Sequence, residues 1–233
     1  MFIGKIVKSD SHISYVCQIY GSREVEIEPG PADYAFGRFV RVAVRSGQSD
    51  DAASPLDIAL GISQEPVTYA VGVIYDTILL NPAFGSLGPR LSNETQVELF
   101  SPDYIAEKAV LIYVMILGMM ELRRTPTGTA EFLSVMHGVP LLSLELGSEI
   151  ETMTDEEVQA FHFFHDTISG PDAQNAYLHM GYLPHIIAQR NSLLPMVTLR
   201  IIDQLEHLFP QNLALLSIVK RNFAWRLKVE TTG

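Results

Sequence analysis

The chain has 233 residues, 47% of them hydrophobic and 18% charged, so it can bury a sizeable core and is not a disordered polymer. Lys+Arg number 16 and Asp+Glu 27, a formal net charge of −11, which argues against a free-standing duplex-binding protein with a basic face. A single cysteine, Cys17, excludes an internal disulfide framework and a cysteine-based zinc site.

The first half reads as β. Met1 is followed by Phe-Ile-Gly-Lys-Ile-Val, without the apolar stretch or small-residue cleavage site of a signal peptide, so a cytoplasmic protein is expected. Ile13, Tyr15, Cys17 and Ile19 alternate with Ser14, Val16 and Gln18. Val25 and Ile27 alternate with three glutamates, and Val40, Val42 and Val44 with Arg41, Ala43 and Arg45. Val67, Tyr69, Val71, Val73 and Tyr75 give another period-2 run. That period is the signature of strands, whose successive side chains point to opposite faces. Gly21-Ser22, Glu28 to Pro31 and Ser46 to Pro55 supply turns between them. Asn81 to Thr95 reads as a long loop, and Pro102 to Lys108 as a helical turn. Gln96 to Phe100 and Val110 to Leu122 resume strand composition. The apolar run from Ala109 to Met120 is too short for a spanning helix, which needs ~20 residues. Many short strands separated by turns predict a small barrel or sandwich.

The last third reads as helix. Thr154 and Glu157 form a capping box, with Asp155 and Glu156 at the positive end of the helix dipole. That helix is expected to reach Ile168 and stop at Ser169-Gly170-Pro171. Pro171 is placed to open a second helix, which Pro184 should kink or break. Leu194, Val197, Ile201, Leu205 and Leu208 form an amphipathic stripe ended by Pro210. Leu216, Val219, Phe223 and Leu227 repeat it in a final helix. Charge is split: no Lys or Arg lies between Arg124 and Arg190, a stretch with nine acids, while residues 190–233 carry six basic and three acidic groups. Two solvated faces explain this; complementary surfaces for head-to-tail assembly are the sharper reading.

No chemistry is named by a motif. Gly4-Lys5 is the one Gly-Lys pair and sits in a strand, so no phosphate-binding loop is present. His162 and His165, with Asp166, are spaced to share a helix face, and imidazole with carboxylate is a common metal set. Phe161, Phe163 and Phe164 interleave, which favours a helix with aromatic core contacts and histidines toward solvent. His179 and His185 could join them only by folding. Cys17 reads as a buried small hydrophobe rather than a nucleophile. Lys220, Arg221, Arg226 and Lys228 around Phe223 and Trp225 could grip nucleic acid, although basic groups near a helix C-terminus also suit its dipole. Arg38, Arg41 and Arg45 read as a basic strand face.

Four segments carry a resemblance. They are Ile3-Gly4-Lys5-Ile6-Val7, Gly37-Arg38-Phe39-Val40-Arg41-Val42, Val71-Gly72-Val73-Ile74, and the stretch from His137-Gly138-Val139-Pro140 through Leu146-Gly147-Ser148-Glu149-Ile150. Over about the first 150 residues the chain resembles the HAS barrel shared by HerA-type DNA translocases and rotary ATP synthase catalytic subunits. In HerA-type proteins an ATPase core with a phosphate-binding loop follows the barrel; here helical sequence without such a loop follows. The resemblance therefore implies a detached barrel module, and no catalytic residue is carried over.

The expected fold is α+β: a small N-terminal β-barrel over residues 1–124, a linker over 125–150, and a C-terminal helical bundle over 151–233. The expected function is a non-enzymatic protein-interaction or assembly module, accessory to a HerA-type translocase or nuclease system. No catalytic, cofactor-binding or metal residue is assigned, and no cofactor. The expected partner is a second copy or a DNA-processing ATPase or nuclease, with no membrane and no direct nucleic acid. Alternatives are nucleic-acid binding through the C-terminal basic helix and a metal-dependent hydrolase.

Overall fold

The computed structural model describes residues 1–22, 24–44, 66–80, 109–124, 130–165, 176–189 and 191–232. Seven antiparallel strands make one sheet: β1 (Phe2–Ser9), β2 (Ser14–Ile19), β3 (Phe39–Ala43), β4 (Val67–Leu80), β5 (Ala109–Arg124), β6 (Ala130–His137) and β7 (Glu149–Thr152). Their order is β2-β1-β7-β3-β4-β5-β6, and β2 also pairs with β5. The pairings of six strands thus close on themselves in a ring, and β6 extends the sheet beyond it. The long strand β5 makes this possible. One of its edges lies along β4, while the other pairs with β2 over Leu111–Met115 and with β6 over Gly118–Arg124. Register shifts at Val71/Gly72 and Ile74/Asp76 of β4 supply the local bends that a curving sheet requires.

The core is apolar on both sides of part of the sheet. Phe39–Val42 of β3 and Ala70–Ile74 of β4 are buried without alternation. Their second face is covered by helix α1 (Asp155–His162) and helix α3 (Leu194–Leu208), which sends Leu194, Val197, Ile201 and Leu205 inward. Gly37 seats α3. Its φ is +83°, and an added Cβ would stand 2.5 Å from Arg200 Cγ, while its carbonyl accepts a bond from Gln204 Nε2 at 2.7 Å. The short helix α2 (Leu183–Ala188) precedes α3, and α4 (Leu213–Thr232) follows it after a 3-10 turn at Pro210–Asn212.

The strands expected around Tyr15, Val40, Val71 and Ile116 are present, as are the capping box at Thr154 and the stripe of α3. Several expectations are corrected. Val25 and Ile27 form no strand: Glu24 closes a turn on Gly21, accepting its N–H at 3.1 Å, and Ile27 is 75% exposed. The stretch expected as linker carries β6 and β7, and β7 lies between β1 and β3. Helix α1 stops at His162 instead of Ile168, because Phe163 turns extended and begins β8 (Phe163–His165), which pairs with β9 (Ala176–Leu178). Pro184 does not break a helix; it lies in the first turn of α2, where no amide proton is needed. The expectations on residues 46–55, 81–108, 125–129 and 166–175 lie outside the described residues.

Candidate functional site

The polar chemistry that the fold brings together lies where β6, α1 and the β9–α2 connection meet. Helix α1 turns Val158, Phe161 and His162 inward at i, i+3 and i+4. His162 is fully buried. Its Nδ1–H donates to the Val158 carbonyl at 2.7 Å, which leaves Nε2 to accept from the Tyr182 hydroxyl at 2.7 Å. His137, the last residue of β6, accepts the Gly181 N–H at Nδ1 (3.0 Å) and donates from Nε2 to the Phe161 carbonyl at 2.8 Å. The His179 ring stacks on His137 with centroids 4.6 Å apart. Gly181 lets the His179 ring lie close to the backbone, where an added Cβ would stand 2.6 Å from its Cε1. His185 bonds separately, through Nε2 to the Ile116 carbonyl at 2.9 Å.

These surroundings disfavour the charged form of His162, His137 and His185. Burial, helped by the neighbouring histidines, pushes His162 down to about 3 and His137 down to about 4. Burial likewise lowers His185 and raises the Tyr182 phenol. Both ring nitrogens of His162 and of His137 are committed to protein partners, so neither offers a lone pair to a metal. Among the described residues no group of three or more His, Cys, Asp or Glu could hold a metal ion. The cluster can pin three chain segments together, and it can respond to acid.

The residues singled out in the sequence have diverse placements. His162 faces the core rather than solvent, because its two bonds are made inside. His165 falls on β8 and not on the helix, so the shared helix face of His162 and His165 does not exist; Asp166 lies outside the described residues. His179 does join His162, through His137. Cys17 is buried and its thiol is pushed up to about 12 by burial. Lys220 is held by Asp203 at 2.6 Å and Glu206 at 2.7 Å, across from α4 to α3. Arg221 and Trp225 are exposed and Phe223 is half-buried, while the side chains of Arg226 and Lys228 lie outside the described set.

The basic strand face is also corrected. Arg38 is exposed, Arg45 lies outside the described residues, and Arg41 is only 4% exposed. Arg41 Nη2 meets Glu151 of β7 at 2.9 Å, Nη1 meets Glu157 of α1, and the guanidinium lies 4.6 Å from the Tyr69 ring centroid. Burial opposes the Arg41 charge, but the two carboxylates outweigh it and raise its pKa. Its Nε has no hydrogen-bond partner among the described residues. Glu157 also closes the capping box on Thr154, so one carboxylate starts the helix and ties it to the sheet. Neither this triad nor His137 and Tyr182 carry a spacing motif; only folding unites them.

Among the described residues, exposed apolar side chains group on α4 and on the β6–β7 connection, among other places. Leu213, Leu215, Ile218 and Trp225 of α4 are all about half exposed or more, Trp225 at 67%. The β6–β7 connection exposes Val139, Leu141, Leu142 and Leu146, with Leu141 at 91%. No helix among the described residues is long and apolar enough to cross a membrane. A family model described as a domain of unknown function (DUF8166) matches residues 1–232. No curated protein matches the chain.

Proposed function

The chain belongs to the DUF8166 family, and we propose that it is a non-enzymatic interaction or assembly module of the cytoplasm, whose closed ring of strands is a HAS-like β-barrel. The observation that carries this reading is the exposed apolar side of α4. Leu215, Ile218 and Trp225 recur at i, i+3 and i+10, on a helix whose other side packs Leu216 into the core. Exposed apolar surface of this kind marks contact with another protein. The resemblance of the N-terminal segments makes the partner an ATPase or nuclease of a HerA-type DNA-processing system, with self-association on the same surface.

Two observations place the alternatives lower. Nucleic-acid binding through α4 would draw on Lys220, Arg221, Arg226 and Lys228, and the charge of Lys220 is already engaged by Asp203 and Glu206. Metal-dependent hydrolysis needs His162, whose ring nitrogens are both used. The test is affinity capture from the native cell with mass spectrometry, run with the wild type and with Ile218→Glu/Trp225→Glu. Recovery of a DNA-processing ATPase or nuclease that the double variant loses supports the reading; recovery of none overturns it.

A further inference from the structure

Strand β6 ends the row of the sheet, and among the described residues it pairs with β5 alone. Natural edge strands are usually blunted by lysine, proline or a covering segment. Ala130–His137 contains no Lys, Arg or Pro. Alongside it runs a groove of about 960 Å³ that follows four consecutive residues, Phe132 to Val135. The opposite wall comes from Gln159 and Ala160 of α1 and from Phe209 and Pro210 after α3. Phe163 stacks on Phe209 at 5.8 Å and shapes one side. A groove walled by a strand edge and a helix matches an extended peptide, which gains main-chain bonds from the edge and side-chain contacts from the walls. Four paired residues at ~3.3 Å each give it a usable length of about 13 Å.

The charge of the groove selects the occupant. Among the described residues lining it, Glu156 is the one that is ionisable, and Glu131 precedes the groove on β6. The sequence has no Lys or Arg from residue 125 to residue 189. We infer that β6 and α1 form a docking groove for an extended, cationic-apolar segment of a partner protein, added to the sheet as a strand beside β6. This rests on the interaction-module reading and names a second surface for it, distinct from α4. A nucleic acid is repelled by the same charge.

The probe is a fluorescein-labelled octapeptide alternating lysine with valine and phenylalanine, followed by anisotropy against the full chain. The expected result is micromolar binding that falls at least about tenfold when alternate peptide amides are N-methylated, because the main-chain bonds to β6 are lost. Glu156→Lys, at an exposed position, is expected to weaken this peptide and to favour its glutamate counterpart. Absence of binding, or binding indifferent to N-methylation and to Glu156→Lys, overturns the proposal. So does a homodimer, seen by sedimentation, that Leu133→Asp dissociates, since a second copy then fills the groove. Partner capture that depends on α4, in a protein that does not bind the peptide, sinks the groove while leaving the interaction-module reading intact.

Discussion

Acid should loosen this protein through its histidines before it touches its carboxylates. His162 and His137 are held neutral by burial, at about 3 and about 4. In the unfolded chain both return to about 6.5 and take up protons as the pH falls. The unfolded state then binds more protons than the folded one. The contribution is complete above about pH 6.5 and is lost as the pH drops toward the folded values. At about pH 5 the unfolded state gains about 2 kcal/mol per histidine, or about 4 kcal/mol for the pair. His185, also lowered by burial, acts in the same direction. Glu24 and Glu206 are held below the usual carboxylate range, by Lys5 and Lys220 respectively, and their losses begin at lower pH. Urea unfolding followed by far-ultraviolet circular dichroism measures the effect. At an m of about 2–3 kcal/mol/M, the midpoint should fall by about 1.5 M between about pH 7 and pH 5. His162→Gln starts less stable at neutral pH but should lose about half of that fall. A midpoint that stays level across this window, or a His162→Gln variant with the full fall, refutes the neutral-cluster reasoning.

Arg41→Leu leaves Glu151 and Glu157 facing one another without their cation, and should cost about 3–5 kcal/mol in urea unfolding; a cost under about 1 kcal/mol would mean the triad is no tie. Gly37→Ala meets both a left-handed φ and Arg200, so a loss of about 1–3 kcal/mol is expected, measured as a lower unfolding midpoint. Cys17, with its thiol near 12, should resist a thiol-specific reagent in the native protein and react at once in urea. Fast labelling without denaturant would contradict its burial.

The fold was legible wherever one face of an element decides its period. The alternation around Tyr15 and Cys17, the capping box at Thr154 and the stripe of Leu194 to Leu205 all became what their spacing implies. The misreadings share a cause. Val25 and Ile27 alternate like a strand, but a turn held by Glu24 leaves them no partner to pair with. Leu133 and Val135 of β6 read as linker because a strand at the end of the sheet buries no regular alternation. Arg41 reads as part of a basic strand face with Arg38 and Arg45, because its two carboxylates lie more than a hundred positions away. The histidine cluster escaped for the same reason: His137 lies on β6, His162 on α1 and His179 in the β9–α2 connection, and only the tertiary fold brings them together.

The position of β7 between β1 and β3 also bears on the order of events during synthesis. Gly4 has Ile150 as its register partner, so the sheet stays open until almost two thirds of the polypeptide has left the ribosome. Until then β1 and β3 present unsatisfied edges in a chain whose earliest segments must wait for a late one. Pairing across such a separation carries a large loop-closure entropy and slows the search for the native state. The nascent N-terminal half is therefore the stage at which this molecule most needs a chaperone, and a fragment ending before Glu149 should aggregate rather than fold.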